Sequence, residues 1–269
     1  MNLNITEAHK LLEARLEDML EQSRRGELVC GNFLTPAEVS FCRALIKQRG
    51  EEKRSFFYGG YADADRKRLY ILPQYLMDIE GDSEEKLRLY CAEEFCSSVA
   101  ALSIKGSGYR KLSHRDYLGS ILALGIERHA LGDVIVTGDS EAIVICTDKI
   151  SAFLLEGIDK VASDKVTVSK IELSEDFAPK REVLPISDTV ASNRFDCVVG
   201  ALTNLSREKA QAAIRTGLCE VDYLPEQRCD VSLATPCIVT VRGYGKYRLI
   251  SFDGETKRGR LRLKAEKYI

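Results

Sequence analysis

Apolar residues recur every three or four positions between Ile5 and Arg25. Ala8, Leu11, Leu12, Leu16, Met19 and Leu20 fall on one face, which predicts an amphipathic helix. A second helix opens at "TPAE", where Thr35 can cap the first turn, Glu38 can reciprocate, and Pro36 suits the first helical position. The period then shortens. "SFFYGGY" and "KRLYIL" read as an aromatic-rich strand pair, closed by Pro73. The first unit is therefore two helices plus a hairpin, residues 1–82.

From about Ser83 the pattern gives a leading helix and then a clear alternation. A strand "AALSIK" is followed by a helix announced by the box "SHRD", and then by strands "DVIVTG" and "EAIVIC" joined through Gly138 and Asp139. A helix "ISAFLLEGI" and a strand "KVTVSKIEL" complete the unit. Strand, helix, strand, strand, helix, strand is the ferredoxin-like order, shared by RNA-recognition modules and by many modules that bind no RNA. The two strands expected at its centre, "AALSIK" and "EAIVIC", carry no aromatic residue, so base stacking on that sheet is not expected. This domain spans residues 83–178. "SEDFAPKREVLPISD", with two prolines and mixed charges, reads as a linker into a third domain, residues 179–269. The fold class is α+β, in three domains.

In the last domain Phe195, Val198, Val199 and Leu202 form the apolar face of a helix that Ser192 can cap. Ser206 caps a second, shorter helix whose Ala210, Ala213 and Ile214 point inward, and Gly217 supplies the left-handed residue that ends it. Arg207 and Lys209 sit in its first turn, where the dipole and the backbone amides favour an anion. Arg215, two turns on, lines the same edge. Strands follow in "LCEVDY", "PCIVTVRG", "KYRLISF" and "GRLRLK". The joint "RGYGK" uses Gly243 and Gly245 to bring backbone close to a ligand and presents Arg242, Tyr244 and Lys246 at a strand end. Such an array of cations reads sugar-phosphate backbone.

Charge sharpens this picture. The net charge of −2 hides an asymmetry: residues 180–269 hold 16 basic against 11 acidic residues, and residues 1–179 hold 23 against 30. From Arg242 onward the ratio is nine to three. Nine cysteines without a CxxC pair read as free thiols in a reducing cytoplasm, and three histidines give no zinc-ligand spacing, so no metal or cofactor is expected. Neither a long apolar run nor a basic-then-apolar N-terminus appears, so no membrane span or secretory signal is expected.

The stretch "NRFDCVVGALTNLSREKAQAAIRTGLCEVDY…VTVRGYGKYRL" resembles the S-four RNA-binding domain, first described in a small-subunit ribosomal protein. Arg194 and Asp196 match its Arg-apolar-Asp element. Ser206, Arg207 and Ala210 match Ser-Arg-x-x-Ala, Ile214 and Gly217 match Ile-x-x-Gly, and Arg242, Gly243 and Gly245 match Arg-Gly-x-Gly. The chain departs from that pattern at "VDYLPE" and "ATPC". Together with "FLTPAE", "YGGYADADRKRLYILP" and "LSHRDYLGSILALGIERHALGDVIV", the whole chain resembles the bacterial YlmH family. The resemblance implies an RNA-binding protein of the ribosome, linked to rescue of stalled large subunits carrying peptidyl-tRNA and, in some bacteria, to cell division. The implied partners are rRNA, tRNA and the large subunit, with no reading of DNA sequence. An acidic N-terminal unit could in addition face a protein.

Simpler explanations stand beside these. Arg194, Arg207 and Lys209 could be a solvated face paired with Asp196 and Glu208, and Asp196 could hold Arg207 or a helix end. Tyr244 either stacks on a base or packs against its neighbours. Because Arg194 and Arg207 are read as exposed, charge reversal at either is expected to leave the fold intact. "HRD" at His114–Asp116 lacks the downstream Asn of a kinase loop, so Asp116 is read as a cap. Arg110, Lys111 and Arg115 beside it offer a secondary RNA contact. The rival functions are an accessory of an RNA-modifying enzyme and a protein-interaction module of cell division. No synthetase, methyltransferase or pseudouridine-synthase motif supports the former, and the chain is read as a non-enzyme.

Overall fold

The computed structural model describes residues 7–78, 99–174 and 176–269. They belong to two compact units, residues 1–179 and 180–269. The first unit opens with α1 (Glu7–Arg24), β1 (Val29–Leu34) and α2 (Pro36–Arg49), followed by β2 (Ser55–Tyr58) and β3 (Lys67–Ile71). Thr35 and Glu38 form both halves of the expected capping box at α2. The strands make an antiparallel sheet in the order β1-β3-β2, with Leu16, Leu20, Phe41, Leu45 and Ile71 buried among the elements. Between the helices, β1 escapes the sequence pattern, because its pairing with β3 is interrupted between Cys30 and Phe33 and its six residues show no clean alternation. The leading helix expected from Ser83 and the boundary at residue 82 lie outside the described residues.

The same unit continues through β4 (Val99–Gly106), α3 (His114–Leu122), β5 (Leu131–Val136) and β6 (Glu141–Thr147) to α4 (Asp148–Gly157), β7 (Lys160–Val161) and β8 (Asp164–Ile171). Its antiparallel sheet runs β5-β6-β4-β8-β7, which places "AALSIK" and "EAIVIC" centrally and gives the ferredoxin-like arrangement. On one face, Leu102, Ile104, Val144 and Cys146 pack with Tyr117 and Ile121 of α3 and Leu154 of α4. The opposite face is also occupied. Phe33, Tyr61 and Ala64 of the N-terminal elements close over Ala101 and Ile145, with Leu173 and Phe177 at the margin.

That closure is held by one carboxylate. Asp133 accepts hydrogen bonds from Tyr61 Oη at 2.7 Å and from the backbone amides of Asp65 (2.8 Å) and Arg66 (3.1 Å). The Arg66 guanidinium reaches the carbonyls of Leu131 and Phe33, and Arg128 binds those of Leu131 and Gly132. Burial first, and the neighbouring Arg66 charge second, lower Arg128 to about 10 against the opposing pull of Asp133. Two glycines permit the contact. A Cβ on Gly132 would stand 2.8 Å from Phe33 Cε1, and Gly60, at φ +95°, lies against Ile145. Thus "YGGYADAD" and "ALGD", two of the landmark motifs, meet at one hydrogen-bonded joint.

The second unit comprises β9 (Val183–Val190), α5 (Phe195–Thr203), α6 (Arg207–Arg215), β10 (Cys219–Val221), β11 (Leu224–Pro225), β12 (Cys237–Val241), β13 (Gly245–Glu255) and β14 (Leu261–Tyr268). Its sheet runs β11-β10-β12-β13-β14-β9. Here the linker reading needs correction: "VLPISDTV" is β9, paired with β14 along its whole length from Val183–Tyr268 to Val190–Leu261. Proline is tolerated because β9 is the edge strand. Phe195, Val198, Val199, Ala210 and Ile214 of the two helices share a core with Val239, Val241, Tyr247, Leu249 and Leu263. No helix among the described residues is long and apolar enough to cross a membrane. The seven described cysteines are free thiols.

Candidate nucleic-acid interface

The signature residues of the second unit converge on a buried carboxylate. Asp196, in the first turn of α5, has no solvent exposure. Arg194 binds it through Nε (3.1 Å to Oδ1) and Nη2 (3.3 Å to Oδ2), a forked geometry. Arg207 Nε reaches Oδ2 at 3.4 Å from the start of α6, and Gln211 Nε2 donates to the same oxygen at 2.8 Å. The amide of Cys197 donates to Oδ1 at 3.0 Å. Burial pushes this carboxyl up, but the hydrogen bonds from Arg194 and Gln211 and the charges of Arg194 and Arg207 outweigh it. They hold it well below the usual carboxylate range.

One buried negative charge thus orients two cations. Arg194 and Arg207 side chains remain 39% and 66% exposed, so both cations still face water, with the exposed Asp230 also acting on Arg194. Glu at either position would set a second carboxylate beside Asp196, so exposure alone does not support the expectation of an intact fold on charge reversal. Ser192 does not cap α5; the N-cap position is Arg194, whose amide donates to Ser192 Oγ. The first amides of α5 are taken by the carbonyls of Val231 and Cys229. At α6 the expected cap is present, with Ser206 Oγ accepting from the Lys209 amide.

Lys209 and Arg215 are exposed on α6, while Ala210 and Ile214 are fully buried. Among the described residues no ion pair joins Glu208 to Arg207 or Lys209. Gly217 takes φ +75° after the helix, as expected. The Arg242 amide donates to Leu218 O at 2.8 Å, which sets the β12–β13 turn beside that helix end. Arg242 is exposed there, Gly243 has φ +86°, and a Cβ on Gly245 would meet Lys267 Cε at 2.8 Å. Tyr244 is 42% exposed. Lys246 differs from its reading as a presented cation: its ammonium lies 4.7 Å and 4.8 Å from the ring centres of Tyr223 and Tyr268.

In the first unit Asp116 does cap α3 with Ser113, and this carboxyl is held low by the backbone and side-chain hydrogen bonds of Ser113. Arg110 donates to Ser163 Oγ, Lys111 pairs with Asp139 at 3.3 Å, and Arg115 is exposed. Sequence reasoning missed Gln211 as a third donor on Asp196, because an amide on a helix face carries no distinctive spacing. It also passed over Lys257 and Arg258, exposed in the turn between β13 and β14, and Tyr109.

A mixed α+β scaffold with a ferredoxin-like centre and oriented surface arginines defines a class of modules that includes RNA binders, and comparison with known proteins gives the particular kind. Residues 92–175 match the family described as "Putative RNA-binding domain in YlmH". Over 237 residues, 88% of this chain and 86% of the relative, the sequence is 27% identical to the "Ribosome-associated protein quality control protein P2" of Bacillus subtilis (strain 168). Among solved structures, the "Cell division protein ylmH from Streptococcus pneumoniae" matches with a TM-score of 0.51 at 14% identity, covering 66% of this chain and 99% of that one. The last is a likeness of fold. The YlmH resemblance drawn from the sequence is borne out: the chain carries the YlmH-type domain at its centre and is similar to such proteins along most of its length.

Proposed function

We propose that this protein binds structured RNA through the second unit, acting as an S-four-type domain, on the large ribosomal subunit in the cytoplasm. The observation that carries the reading is the pair of arginines fixed by Asp196 at the joint of two short helices, with Lys209 and Arg215 free along the same helix. Preset guanidinium groups lose less freedom on meeting a phosphate than mobile ones, and they offer paired donors to its oxygens. The relative named for ribosome-associated protein quality control supports the ribosomal setting; a place on stalled large subunits that hold peptidyl-tRNA, with binding rather than catalysis as the activity, is the finer part of the proposal. The contacting residues are Arg194, Arg207, Lys209, Arg215, Arg242 and Tyr244. Ser206 keeps α6 in place beneath them, and Lys246 braces the neighbouring rim.

Lys209→Glu with Arg215→Glu gives the clean test, because neither side chain touches Asp196. The double variant should keep the wild-type melting temperature yet bind large subunits at least tenfold more weakly, read by co-sedimentation of the purified protein through a sucrose gradient. Unchanged co-sedimentation would reject this ledge, the exposed edge of α6 that carries Lys209 and Arg215, as the RNA contact.

A further inference from the structure

We infer that the loop between β4 and α3 is where the central domain takes up unpaired RNA, with Tyr109 as a stacking platform and Arg110 and Lys111 as phosphate contacts. This rests on the RNA-binding reading and adds to it a surface and a ligand class. A module of ferredoxin-like order ordinarily reads RNA with aromatics on the open face of its two central strands. Here that face is closed at Ala101 and Ile145 by Phe33, Tyr61 and Ala64, and its strands present no aromatic ring. The other face is filled by α3 and α4. The domain's remaining surface is its edges and loops.

One loop is built to display a ring. Tyr109 is 97% exposed, the highest exposure of any large hydrophobic side chain among the described residues. The ring cannot contribute to folding from there. Yet the backbone around it is fixed: the Gly106 amide donates to Ser140 O at 2.7 Å, and the Leu112 amide donates to Asp139 O at 2.7 Å. The amide and hydroxyl of Ser107 both donate to Asp164, which is buried. Arg110 is tied to Ser163 Oγ at 2.6 Å. A ring held on a rigid loop loses little freedom when a base stacks on it.

The surrounding charge suits a phosphate chain. On the adjoining β7–β8 hairpin Lys160 and Lys165 stand directly opposite each other, both exposed, although like charges in that register repel. Of the acids nearby, Asp116 and Asp164 are turned to amides and hydroxyls of the loop and the α3 cap. Asp139 and Glu141 pair with Lys111 and Lys105, all four at least half exposed, so phosphate can exchange for them at little cost. Asp159 is exposed beside Lys160.

The test uses the full-length protein and two RNA hairpins of equal length at fixed salt. One carries an unpaired loop with 2-aminopurine, and the other is fully paired. Wild type should quench the loop fluorophore. Tyr109→Ala should abolish the quenching and weaken binding to the looped RNA about tenfold, while Tyr109→Phe retains both, since a ring stacks without its hydroxyl. Melting temperatures should match, and binding to the paired hairpin should be unaffected by either substitution. Lys209→Glu with Arg215→Glu should weaken both RNAs, which separates the loop from the helix ledge. The inference is overturned if Tyr109→Ala quenches and binds like wild type. It is equally overturned if Tyr109→Phe fails as Ala does, or if Tyr109→Ala loses a protein from isolated subunits with RNA binding intact. Wild type binding neither hairpin would defeat the RNA reading as a whole.

Discussion

Asp196 is the residue on which the second unit's chemistry turns. Its depressed pKa means that the folded state holds fewer protons than the unfolded chain as pH falls through the carboxylate range. Its contribution to stability is therefore fully present above the unfolded value of about 4 and is lost progressively below it. Chemical denaturation of Asp196→Asn should show a loss of roughly 1–3 kcal/mol at neutral pH, with a stability curve flatter than wild type below pH 4. Equal pH slopes in the two proteins would refute the assignment. The motif had named Arg194, Asp196 and Arg207 together, so the hub was legible from residue types alone. What the motif could not convey was direction: that both arginines turn one edge inward, and that Lys246 folds back over two tyrosine rings, depends on strands far apart in sequence.

Among the elements, those marked by local rules were found and those set by tertiary context were not. Capping boxes at Thr35 and Ser113 and the left-handed Gly217 fix helix ends through bonds a few residues long. By contrast β1 and β9 exist because a partner strand lies beside them, and their own residues include a mid-strand glycine and a proline. The covered sheet face was equally invisible in advance, since Phe33 and Tyr61 arrive from positions separated by α2 and β2. Gly132 offers a direct check on that closure. Gly132→Ala should destabilise the first unit by about 1–3 kcal/mol in urea unfolding, because the added methyl meets Phe33 at 2.8 Å and Ile145 at 3.1 Å. A neutral result would mean that the joint at Asp133 is loose.

For the molecule as a whole, charge distribution rather than total charge governs association. With about four to six phosphates engaged, a plot of log affinity against log salt should fall with a slope of about −3 to −5. A flat response in a filter-binding series would favour protein contacts instead. The N-terminal elements have a further consequence for how the chain can be divided. The stretch 92–175 that matches the family description does not carry its own roof: Phe33, Tyr61 and Ala64 come from outside it. Excised on those limits, the fragment would show Ala101 and Ile145 to water and leave Asp133 without the hydroxyl and amides it holds. Self-association is the foreseeable fate of such a piece, so the smallest well-behaved fragment of this half of the chain begins no later than β1.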